Sequence, residues 1–60
     1  MNRKDLERYM KIIDDLLASI LEDIDYIQDE DNHFIVNCAV NHLQKSYEEF
    51  ENIYPESLPE

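Results

Sequence analysis

Glu30 and His33 stand in a Glu-x-x-His spacing, which offers two metal ligands from one face of a helix. Di-iron bundles use two such motifs with two further carboxylates, and a dimer of this chain would supply two copies. The motif sits at a turn, so an antiparallel pair of hairpins would hold the copies roughly 30 Å apart by helix length, and only a parallel pair would bring them together. The plainer reading makes Glu30 a first-turn acid and lets His33 close the end of an apolar seam. Asp23, Asp25, Asp29 and Asp31 outline a calcium loop, but the required glycine is missing, as is a glutamate at the twelfth position. Cys38 and His42 are four residues apart and can meet on a helix. A Cys–His nucleophile also needs a pocket, an oxyanion hole and an orienting third group, which two helices do not build. The chain has no glycine at all, so it has no phosphate-cradling loop, and no serine has a credible base. The sequence therefore predicts no enzyme, no cofactor and no metal site.

The elements that carry these residues are legible from apolar spacing. Leu6, Met10, Ile13, Leu17, Ile20, Ile24 and Ile27 recur at alternating steps of four and three, and so do Val36, Val40, Leu43, Tyr47, Phe50 and Tyr54. Each series is a helix with one seam to bury. The expected fold is all-α: an antiparallel helical hairpin of two long helices over residues 1–54, dimerising into a four-helix bundle. Helix 1 is expected at about 3–27, the turn at 28–32, helix 2 at about 32–54, and a flexible tail at 55–60. Asn2 can cap helix 1 with Asp5 as its acidic partner, and Asp29 or Asp31 can cap helix 2. Pro55 stops helix 2, because the residue before a proline is pushed out of helical geometry.

The chain has 60 residues, a size at which one core rarely supplies enough stability without a staple. The single cysteine excludes an internal disulfide, which leaves self-association. The stripe is also wider than a strict seam. Tyr9 and Leu16 flank it on helix 1, and Ala39, Ser46 and Ile53 form a shoulder on helix 2 that lets a neighbouring helix approach. Such a width suits a helix with two neighbours. The spacing leaves open whether two hairpins pair in parallel or antiparallel, and whether two or four chains assemble.

The formal net charge is −10, which disfavours direct binding to nucleic acid or anionic lipid and favours a basic partner. In an antiparallel hairpin Arg3, Lys4, Arg8 and Lys11 are expected beside Glu48, Glu49 and Glu51, neutralising the open end. Asp14, Asp15, Glu22, Asp23, Asp25, Asp29, Glu30 and Asp31 have no basic residue among them. Acids in the last turns of helix 1 also oppose its dipole. Local rules broken without compensation point to function, here a docking surface; a solvated, solubilising face is the alternative. Tyr26, Phe34 and Ile35 fall off the seam near the turn, as an apolar contact for a partner or for the oligomer.

In length and two-arm layout the chain resembles the hairpins of Rop, the small plasmid copy-number regulators that dimerise into a bundle. The resemblance is one of layout, with no shared motif. That family's RNA-binding face is basic, whereas helix 1 here turns acidic after Lys11. The sequence thus predicts a cytoplasmic, small acidic regulator or inhibitor, complete from Met1, with no run of about 18 apolar residues for a membrane and no apolar leader. Its sharpest form is a DNA mimic that occupies a nucleic-acid-binding protein. A structural assembly module and a metal-binding bundle are the alternatives.

Overall fold

A computed structural model describes all 60 residues. The chain is all-helical, with helix α1 over Arg3–Asp23, a 3-10 turn over Ile24–Tyr26, helix α2 over Glu30–Glu51 and a second 3-10 turn over Pro55–Ser57. The two helices fold back on each other through the short Ile27–Asp29 link. The body measures 45 × 15 × 12 Å. Its least dimension is about the diameter of one helix, so the hairpin is a single layer with both broad faces in solvent.

Both helices start as their caps dictate. The Asn2 side chain accepts from the Asp5 N–H at 2.8 Å, and the Asp5 carboxylate accepts from the Asn2 N–H at 3.4 Å, a reciprocal capping box. Asn2→Ala removes one half of this pair and is expected to cost about 1 kcal/mol, read as a melting midpoint lowered by several degrees in circular dichroism. At α2, Asp29 rather than Asp31 is the cap, accepting from the Asn32 N–H at 3.0 Å.

Three boundaries differ from expectation. Helix α1 ends at Asp23 instead of near residue 27. Glu22, Asp23 and Asp25 crowd its negative pole, and the chain tightens into the 3-10 turn before Ile27 becomes extended. Helix α2 begins at Glu30, because Asp29 takes the cap, and ends at Glu51 rather than Tyr54. Tyr54 precedes Pro55, adopts an extended backbone and is exposed, so it leaves the seam.

The tail after Tyr54 folds back over the start of α1. The Arg3 N–H donates to the Pro59 carbonyl at 3.0 Å, and Arg3 Nε donates to the Pro55 carbonyl at 2.8 Å. An ion pair to Glu60 at 3.6 Å completes the contact, and Leu58 is half-buried. The Pro59 carbonyl thereby satisfies a helix N–H that has no partner inside α1.

The core is thin. Only Leu6, Ile24 and Val40 are buried. Met10, Ile13, Leu17, Ile20, Ile27, Val36, Leu43, Tyr47 and Phe50 are half-buried along the seam. No helix is long and apolar enough to cross a membrane.

Candidate functional site

The acids lie where the helical phase puts them, and all eight are exposed. They do not form one group. Lys11 Nζ pairs with Asp15 at 3.4 Å, one helical turn along α1, so Asp15 is compensated. Asp14 lies at mid-hairpin, where it shares a shallow hollow with Leu17, Gln44, Tyr47, Glu48 and Glu51. The remaining six, Glu22, Asp23, Asp25, Asp29, Glu30 and Asp31, gather around the turn with no Lys or Arg beside them. Neither α1 nor α2 has a basic residue in its last turn.

The expected pairing of Arg3, Lys4, Arg8 and Lys11 with Glu48, Glu49 and Glu51 does not form. Arg8 and Lys11 pair one turn away, Arg3 binds the tail, and Lys4 makes no ion pair. Arg8 bonds Asp5 at 3.1 Å and lies 5.1 Å from the centre of the Tyr9 ring, a cation–π contact. Arg3 serves the tail and Lys11 serves Asp15, because pairs one turn apart or at a chain end need no reach across the seam. Glu48 and Glu51 instead face Asp14 across the mid-hairpin hollow, so carboxylates line that face as well.

The apolar trio is exposed: Tyr26 by 83%, Phe34 by 68% and Ile35 by 62%. It is not one patch. Successive helical residues point about 100° apart. Phe34 borders a hollow with Ile27, Gln28, Glu30, His33 and Asn37, at the acidic end. Ile35 instead falls in line with Ala39 on the shoulder of α2. Ile12, exposed like Tyr9 and Leu16, belongs with that pair; its position beside Ile13 at the seam had hidden it.

Glu30 and His33 do line one hollow, and the His33 ring nitrogen Nδ1 is 3.2 Å from the Asn37 side-chain amide. No group of three or more His, Cys, Asp or Glu side chains is gathered to hold a metal ion. On α2, Cys38 is half-buried and His42 is exposed. The arrangement can therefore present charge and apolar surface to a partner, and it offers only open hollows for a small molecule. No protein-family model, curated protein or solved structure matches this chain. The likeness in layout to Rop hairpins thus brings no function with it.

Proposed function

We propose that this chain is a non-catalytic interaction protein, a regulator or inhibitor that pairs with a second copy as a four-helix bundle and docks its turn end on a basic protein surface. The observation that carries this reading is the turn end itself. Six exposed carboxylates and the exposed rings of Tyr26 and Phe34 fall on the segments that meet at the turn, with no Lys or Arg among them. Acidic side chains steer the encounter with a positive surface, and the two exposed rings supply the desolvated contact that charge alone does not. A surface built to bind phosphates is the basic surface such an array fits best, which makes competition with nucleic acid the mode of action.

The second reading, a structural module whose acids only keep it soluble, draws on the exposed apolar residues of α1. The two separate by where charge is removed. An Arg- and Leu-rich helical peptide serves as the probe, and binding is followed by fluorescence anisotropy. The combined change Asp23→Asn, Asp25→Asn and Asp29→Asn is expected to weaken binding about tenfold, and Phe34→Ser to weaken it further. The equal loss of charge through Glu48→Gln, Glu49→Gln and Glu51→Gln is expected to change it far less. Equal weakening by both sets, or binding that ignores salt, removes the docking reading.

A further inference from the structure

The two broad faces of the hairpin differ. One carries the acidic hollow of Asp14, Glu48 and Glu51. By helical phase, the other carries Tyr9, Ile12 and Leu16 on α1, spaced three and four apart, beside Ala39 and Ser46 on α2, with Ile53 just beyond the end of α2. Tyr9, Ile12 and Leu16 are exposed although large and apolar, whereas on α1 the acidic face shows Leu21 alone, in line with Asp14. Beside Ser46 and Ile53 runs a shallow hollow that Phe50 and Glu49 also line.

We propose that this second face is the self-association surface, and that the second copy lies on it head to tail, its turn end over the open end of the first. The inference rests on the dimeric reading above and deepens it by assigning the face and the orientation.

Charge chooses the orientation. Four of the five Lys and Arg residues, Arg3, Lys4, Arg8 and Lys11, lie toward the open end, Lys45 lies near the middle, and the six carboxylates around the turn have none beside them. A parallel pair would set twelve carboxylates side by side at one end. A head-to-tail pair separates the two acidic ends by the length of the hairpin and brings each to the end of the pair that holds the partner's Arg3, Lys4, Arg8 and Lys11. The helix dipoles do not decide, because either arrangement places every helix antiparallel to its neighbours.

Shape agrees with charge. The acidic hollow sets Asp14 and Leu17 level with Gln44–Glu51, so Ser46 lies near the middle of the hairpin. A two-fold axis across the long dimension lays α2 on the partner's α2 and α1 on the partner's α1. Ser46 then meets its own copy, and Ala39 meets the partner's Ile53, a small side chain against a large one. On α1, Ile12 meets the partner's Leu16. An isologous interface requires this self-matching. In the parallel arrangement α2 would lie on the partner's α1, and the match of Ala39 with Ile53 would be lost.

Sedimentation and spin-label distances test the proposal together. Native protein is expected to sediment as two copies and Leu16→Glu as one. Gln28→Cys in a Cys38→Ala background, labelled with a nitroxide, leaves every residue of the face intact and holds its orientation test even if Leu16→Glu fails to fold. Head-to-tail packing places the two labels about 30 Å or more apart, and parallel packing places them within about 20 Å, two helix widths. A short distance overturns the orientation. Native protein that sediments as one copy overturns the proposal, and a Leu16→Glu variant that stays dimeric overturns the face. A single copy that still binds the Arg- and Leu-rich peptide sinks the dimer, and this inference with it, and leaves the docking of the turn end standing. A head-to-tail dimer blind to that peptide sinks the docking reading alone.

Discussion

Val40→Asp is expected to abolish the helical signal at 222 nm at room temperature. Val40 is the most deeply buried residue of the chain, with 4% of its surface exposed. It comes from the middle of α2, where the seam has no polar group to receive a carboxylate. An unpaired charge in such a place costs several kcal/mol. A chain of this size rarely holds more than roughly 3–5 kcal/mol in its core, so the loss exceeds the reserve. Asn41→Asp is the control: it adds the same charge one position along, at an exposed site, and is expected to keep the helix. A Val40→Asp protein as helical as the control would mean that the seam between α1 and α2 does not hold the fold.

Dilution is expected to melt the protein. One layer of two helices with three buried residues leaves most of its apolar side chains wholly or partly wet. If the second copy supplies the missing cover, stability follows concentration by mass action, and each tenfold dilution costs the pair about 1.4 kcal/mol. Spread over the unfolding entropy of two such chains, this lowers the melting midpoint by about 5 °C per tenfold dilution. Circular dichroism melts across a hundredfold range of concentration read it directly. A midpoint that stays put across that range would show that the single hairpin stands by itself.

The seam was legible in the sequence because its period is set by the α-helix and nothing interrupts it. Leu6, Ile24 and Val40 were all placed on it, and they are the three buried residues. The helix ends were less legible. They depend on competition among neighbours: acids at a negative pole shortened α1, Asp29 outcompeted Asp31 for the cap, and the proline drew Tyr54 out of line. The docking of the tail on Arg3 was hidden, because it joins residues more than fifty positions apart and leaves no periodic trace. The ion pairs were misplaced for a related reason. Opposite charges level with each other across a hairpin compete with partners one turn away, and local pairs need less ordering of long side chains. At the candidate site, the exposure of Tyr26 and Phe34 followed from their departure from the seam. Ile12 is masked in the repeat by Ile13, which satisfies it, although the spacing of Ile12 from Tyr9 and Leu16 holds the signal.

The contact between Arg3 and Pro59 makes the backbone almost a ring. A few added residues would bridge residues 1 and 60 at little entropic cost, since short closures of already adjacent points lose little freedom. Such a ring can be cut elsewhere, and Gln28 is an exposed place to cut. The permuted chain would run α2 first and α1 second while keeping every seam residue in place. The order in which the two arms are strung is therefore incidental to the structure, and fresh termini could be opened at the acidic end while the former ones are sealed.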